Sequence, residues 1–372
     1  MVYATPHPVL LLAARARAHD RWRPHFVAAA DDVHDWPDLV NSACDHGLGP
    51  LLHEHITQCG VRVPDEAMAR LRGVRAFHRR ANATRSAVTA EILTALGAAG
   101  IEALVLKGAA LAQTVYPEPG LRPMRDTDLL VRNAGAPRAQ EILLGLGFAV
   151  APEQAHFHDG LHQLPAVKRE QNGLTVSVEV HRTLGVARHR SARTTFEVLA
   201  PSARSLTVGG VEAKMLGALD LLFHVYRHGF AGALVSEPLR LIWAADVVSV
   251  VEAFVDEIPW ELAARLYPEI CHALPLFDPL SPWSEKVIAK IPLALRPALG
   301  GVGADYRGWP RPRGELPVRD WLVETFRPPP WWLHVHYGEP YGAVPALRSR
   351  ARHFGQLLRR SAKVALAAAR QS

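Results

Sequence analysis

The chain has 372 residues, 49% hydrophobic and 21% charged, which excludes a wholly disordered polypeptide and allows two or three domains or one core with large additions. Its formal charge of +6 comes from arginine spread along most of the sequence, which suits an anionic substrate without requiring nucleic acid. No apolar run approaches the roughly 18 residues of a membrane-spanning helix, and Cys44, Cys59 and Cys271 are too scattered for a disulfide framework or a cysteine zinc site, so a cytoplasmic setting is expected.

From Pro8 to about Gly100 the apolar residues recur at helix spacing, as in Trp36, Leu39 and Val40 or Ile92, Leu93 and Leu96, and predict an N-terminal helical region over 1–100. Ile101 to Leu106 is an apolar run of strand length, followed by Lys107, Gly108 and a helix through Tyr116 that Pro117, Pro119 and Gly120 break. A strand is expected from Thr127 to Val131, approached by Arg122 to Asp126, and then a helix from Pro137 to Leu146 with Gly147 as its cap. Leu174 to His181 alternates cleanly: Leu174, Val176, Val178 and Val180 take one face, and Thr175, Ser177, Glu179 and His181 the other. These elements form a core over 101–213.

A second helical region, 214–346, begins near Lys214 and includes Leu216 to Tyr226, Leu239 to Phe254 and Trp260 to Leu266. Between Phe277 and Pro345 proline and glycine are dense, predicting irregular chain with short helices such as Val318 to Phe326. Residues 347–372 read as a basic amphipathic tail helix in which Phe354, Leu357, Leu358 and Ala365 share a stripe. Such a stripe fits docking on the body, or contact with an anionic membrane surface or partner.

Asp126 and Asp128 concentrate the chemistry. One residue apart on a strand, they point to the same side, and carboxylates so close repel unless a cation or solvent separates them. With Glu179 on a later strand they make an oxygen-rich site for magnesium, or manganese in its place. Gly108 at a helix start lets backbone N–H groups approach phosphate, and Lys107, Arg122 and Arg125 are the cations available to hold a triphosphate. His181, two residues beyond Glu179, reads equally as a group that orients Glu179 or as a catalytic one. His224 and His228, one helical turn apart, lack the glutamate of the metalloprotease motif, and His334 and His336 lack a nearby third ligand, so packing roles are expected for both pairs.

The stretches Val105 to Ala112, Tyr116-Pro117, Arg122, Asp126 to Val131 and Val178 to His181 resemble the uncharacterised nucleotidyltransferase family of the DNA polymerase β-like superfamily. Trp36 to Leu39, His46 to Leu52, Leu239 to Asp246, Trp260 to Leu262, Phe326 to Pro329 and Tyr337-Gly338 extend that resemblance over most of the chain. It implies an α+β fold: a polymerase β-like core of mixed sheet and flanking helices, enclosed by N- and C-terminal helical regions. It further implies transfer of a nucleoside monophosphate from an NTP to a hydroxyl or phosphate acceptor with release of pyrophosphate, and two magnesium ions on Asp126, Asp128 and Glu179. One departure stands out: Gly108 is followed by Ala109 where superfamily members commonly carry serine. A non-catalytic nucleotide-binding module and a toxin-like enzyme acting on tRNA are the alternatives; no sequence signature names the acceptor or the preferred base.

Overall fold

The computed structural model describes residues 6–151, 162–185, 193–230, 240–292, 319, 326, 328, 330–340 and 342–369, the last segment with side chains only as far as Arg359. Five helices come first: α1 (Pro8–Ala13), α2 (Arg23–Asp31), α3 (Trp36–Asp45), α4 (Gly49–Cys59) and the long α5 (Asp65–Ala98). Proline in the first turn of α1 to α4 sets the helical φ where no N–H partner is needed, and the Asp35 side chain caps α3 by accepting from the Asp38 N–H. The helices bury Trp22, Phe26, Leu39, Val40, Leu51, Leu52 and Ile56 against one another and the rest of the chain.

A seven-stranded mixed sheet follows, in the order β3-β4-β5-β2-β1-β7-β6. Its strands are β1 (Ala103–Val105), β2 (Asp126–Val131), β3 (Ala149–Val150), β4 (Val167–Gln171), β5 (Leu174–His181), β6 (Arg204–Val208) and β7 (Val211–Met215). Between them lie α6 (Lys107–Thr114), α7 (Ala136–Gly145) and α8 (Phe196–Leu199). The decisive pairing is central: β2 runs parallel to β5, with Asp126 opposite Ser177, Asp128 opposite Glu179 and Leu130 opposite His181. Thr127, between the acids, points the other way, into the layer made by α5, where its hydroxyl meets that of Thr89 at 3.4 Å.

The sheet is therefore α+β in character and flanked by helices, as expected, but it extends past the predicted elements. Lys214 lies within β7, and the helical region opens at Ala218. Two tight hairpins were not among the expectations: Asn172-Gly173 joins β4 to β5 and Gly209-Gly210 joins β6 to β7, all four residues having positive φ (52°, 72°, 55° and 87°). Two-residue turns with both φ positive follow the right-handed twist of the strands they connect.

Beyond the sheet come α9 (Ala218–Phe230), α10 (Leu241–Phe254), α11 (Trp260–Leu266), α12 (Pro268–Ala273), α13 (Glu285–Lys290), α14 (Pro330–Tyr337) and α15 (Ala343–Ala369). The first two are buried nearly all round, and a single apolar core runs from the N-terminal helices through the sheet into them. Two ionic ties hold these layers together. Arg15, behind α1, donates to Glu252 of α10, to the Ser281 hydroxyl and to the Pro282 carbonyl, and Asp220 of α9 gathers Arg193, Ser202 and Tyr267. Of the expected short helix from Val318 to Phe326, only Arg319 and Phe326 fall within the described residues.

His334 and His336 lie on α14, a helix rather than a loop, and are absorbed by packing. The His336 ring stacks on Trp332 at 4.5 Å with Nδ1 on the Phe230 carbonyl, and His334 Nδ1 meets the Glu339 carbonyl. Helix α15 is inverted relative to a docking helix. It turns Ser349 and His353 inward, the latter against Trp332 and Tyr337, while Phe354 and Leu358 of the predicted stripe are 53% and 58% exposed. Among the described residues no helix is long and apolar enough to cross a membrane.

Candidate active site at the junction of β2 and β5

Strand alternation puts Asp126 and Asp128 of β2 on the same face as Ser177, Glu179 and His181 of β5, and parallel pairing sets Asp128 directly beside Glu179. Asp128 is the hub. Its Oδ1 accepts from Lys107 Nζ at 2.7 Å and from His181 Nε2 at 2.7 Å, while the same histidine nitrogen lies 3.4 Å from Glu179 Oε2. Burial alone would raise the Asp128 pKa, but Lys107 and His181 hold it well below the usual carboxylate range. Conversely, burial would lower Lys107 and His181, yet Asp128 raises both, helped by Asp126 in one case and by Glu179 in the other.

Asp126 is different. It stands half-buried at the mouth of the site, and burial followed by repulsion from Asp128 pushes its pKa up to about 6. Among the described residues no hydrogen bond to Asp126 relieves that repulsion, which is the condition a divalent cation beside the two acids would satisfy. The donor set fits such an ion: Asp128, Glu179 and His181 each offer a ligand atom, all within 4.8 Å of one another, and no other group of this kind occurs among the described residues.

Lys107 reaches Asp128 from a strained backbone. Its φ is +43°, one of two positive values at non-glycine residues among those described, a conformation that costs an L-residue about 1 kcal/mol. The turn arises because β1 ends beside Asp128, the Leu106 N–H donating to the Asp128 carbonyl at 3.0 Å, and α6 must start at once in another direction. Gly108 follows on the first turn of α6. A side chain there would meet Met124 Cγ at 2.9 Å, so this glycine is required for close packing of α6 on the segment before β2.

The other expected cations divide. Arg125 is exposed beside Asp126 and carries no ion pair among the described residues. Arg122, by contrast, is buried and spent: its Nε and Nη2 form a bidentate pair with Asp246 of α10 at 2.7 and 2.6 Å, and Tyr116 donates to the same carboxylate at 2.8 Å. Tyr116, Arg122 and Asp246 thus fasten the core to the C-terminal helices.

Three groups near the site escaped the sequence reading as site residues. His162 brings its ring to 5.7 Å from that of His181. His224 of α9 is buried with Nε2 unpartnered and its pKa well below normal, through burial first and then through Lys107. His228, one turn on, is exposed and packs edge-on against Trp243. The third is Arg85 of α5, a buried cation on which Asp126 acts. His78, Asn82, Arg85 and Thr89 recur at helix spacing, but Arg79, Arg80, Thr84 and Ser86 lie among them, so the sequence alone does not single out the buried stripe.

The mixed sheet thus delivers carboxylates from two neighbouring parallel strands to one place, beside a lysine at the start of α6, as a donor set that could hold a metal ion. The family comparison agrees: the chain belongs to the family described as "Uncharacterised nucleotidyltransferase", whose model matches residues 32–270. No curated protein and no solved structure matches it.

Proposed function

We propose that the protein is a nucleotidyltransferase with a polymerase β-like core, moving a nucleoside monophosphate from an NTP to a hydroxyl or phosphate acceptor. The observation that carries this reading is the pairing of Asp128 with Glu179 next to a repelled Asp126. Asp126, Asp128 and Glu179 would hold magnesium, or manganese, with His181, two residues beyond Glu179 on the same face of β5, steadying Asp128 and Glu179. When bound, the ions would neutralise triphosphate charge and favour the ionised form of the attacking hydroxyl.

In the reaction an acceptor oxygen forms a bond to the α-phosphorus, the bond from that phosphorus to the bridging oxygen breaks, and pyrophosphate departs with the electron pair. The hydroxyl proton goes to a carboxylate of the site; Glu179, partly open to solvent, is the one so placed. Lys107, already within the acid cluster, and Arg125 at its rim are the charges available to the phosphates, with backbone N–H groups at the start of α6 replacing the hydroxyl that Ala109 lacks. Arg122 contributes by holding the segment before β2 in place.

A second reading, a nucleotide-binding module without turnover, is favoured by one observation: the Lys107 ammonium lies on Asp128, where it neutralises the hub acid from within. Calorimetry with Mg-NTP together with pyrophosphate release over an acceptor panel separates the two. Release that disappears in Asp126→Asn supports the enzyme; binding without release supports the module; release retained in Asp126→Asn overturns the metal assignment.

The three free cysteines suit the cytoplasm. Helix α15 would contact an anionic surface, because it carries Arg348, Arg350, Arg352 and Arg359 and no acid while showing Val344, Leu347, Phe354 and Leu358 outward.

A further inference from the structure

Helix α5 carries a polar stripe on a buried face. His78, Asn82, Arg85 and Thr89 are spaced four, three and four residues apart, so they share one side of the helix. Two of them have evident work. The Asn82 amide donates to the Pro119 and Arg122 carbonyls at 2.7 and 2.8 Å, and Thr89 meets Thr127. These contacts fix the register of α5 along the segment that leads into β2. Arg85 lies between them on the helix, one turn before Thr89, towards the end of β2 that Asp126 begins.

Arg85 is 7% exposed. Among the described residues its only hydrogen bond is a long one, from Nη1 to Asn82 Oδ1 at 3.3 Å; Nε is buried without a partner, and no carboxylate pairs with it. The other buried arginines among the described residues are matched: Arg15 by Glu252, and Arg122 by Asp246. A guanidinium kept from water without an anion is costly, so folding alone gives no reason to retain it. Asp126 is the carboxylate whose charge acts on it, without forming an ion pair. His78, two turns earlier on the same face, also keeps a buried Nδ1 unpartnered.

We infer that Arg85 is a binding residue for the polyphosphate of a nucleoside triphosphate, its forked donors completed by phosphate oxygens that approach from the Asp126 side of the site. Planar bidentate donors match a phosphate or pyrophosphate edge better than a lysine point charge does. This deepens the nucleotidyltransferase reading and rests on it for the identity of the ligand. It supplies the triphosphate grip with a cation from outside the motif-bearing core, with Arg122 committed elsewhere and Ala109 without a hydroxyl.

The test uses the full chain with magnesium, titrated by calorimetry with inorganic tripolyphosphate, ATP and, separately, orthophosphate. Arg85→Gln is expected to weaken both tripolyphosphate and ATP at least tenfold, Arg85→Lys to recover part of the loss, and neither to melt below the wild type, since an unpaired buried cation is removed or shortened. A structural arginine would give the opposite pattern. Unchanged tripolyphosphate binding in Arg85→Gln, no binding by the wild type, or equal binding of orthophosphate would each overturn the inference. Arg85-dependent tripolyphosphate binding by a protein that releases no pyrophosphate from any nucleotide would instead sink the transfer reaction and leave the polyphosphate site standing.

Discussion

Two buried ionic clusters lie side by side in this protein and obey different rules. At the junction of the core with α10, Arg122 and Asp246 form a closed pair in which both carboxylate oxygens are used and the charges cancel. At the junction of β2 and β5, three carboxylates face one lysine and one histidine, Asp126 is pushed up to about 6, and Lys107 holds a left-handed backbone. The first cluster is arranged to hold elements together. The second keeps an excess of negative charge and backbone strain that contribute nothing to stability, as expected where a cationic ligand completes the site.

The sharpest way to break this comparison is to remove charge from each cluster in turn. Asp126→Asn should lower pyrophosphate release by about a thousandfold or more while melting no lower than wild type, because it removes repulsion as well as a metal ligand. Asp246→Ala should do the reverse in kind, costing about 3–5 kcal/mol in denaturant unfolding by stranding Arg122, with any residual folded protein retaining nucleotide binding. Equal stability losses in the two variants would show that the clusters do not differ in this way.

Acid should weaken the frame through buried neutral histidines. His55 is fully buried, its Nε2–H donating to the Arg15 carbonyl at 3.0 Å, and burial lowers its pKa to about 3. The unfolded chain takes up the proton near pH 6.5 whereas the folded one resists until about 3, so stability should fall between these limits by about 1.4 kcal/mol per pH unit. Unfolding midpoints measured from pH 7 to 4 check the slope, and His55→Gln should flatten it.

Lys107→Gly tests the other side at smaller cost. Relief of the positive φ should return about 1 kcal/mol of the cost of breaking the buried ion pair, leaving a net loss of about 2–4 kcal/mol while Mg-NTP binding weakens. The smallest effect is expected at the tail: Leu347→Ser with Phe354→Ser should reduce sedimentation with vesicles containing phosphatidylserine, leaving turnover unchanged. Wild-type protein that ignores such vesicles would remove the tail from consideration as a surface contact.

Much of the fold was legible locally. The alternation of Leu174 to His181 matches β5 end to end, the spacing of Trp260 to Leu266 matches α11, and Gly147 closes α7 with positive φ. The hairpins at Asn172-Gly173 and Gly209-Gly210 were also written in the chain, since each pair sits between alternating residues, and the strands they join could have been found from the turns. Other features had no local signature. Nothing around Arg122 distinguishes it from Arg125, yet one is buried on Asp246 and the other exposed. Residues on α15 form a stripe that suggests docking, whereas the partner surface of α14 accepts the opposite face.

By itself the sequence determined which acids share a side of a strand, where a glycine must admit close packing, and which family the motifs resemble, because each follows from a two- or four-residue period or from a local turn. Only tertiary structure decided that Asp128 sits beside Glu179 and reaches His181, 53 positions away. It also decided that Arg122 is consumed by Asp246 and that Arg85 is buried without a counter-charge. The reason is physical: a side chain's direction is set by its own backbone, but its charge partner is set by whichever distant element packs against it.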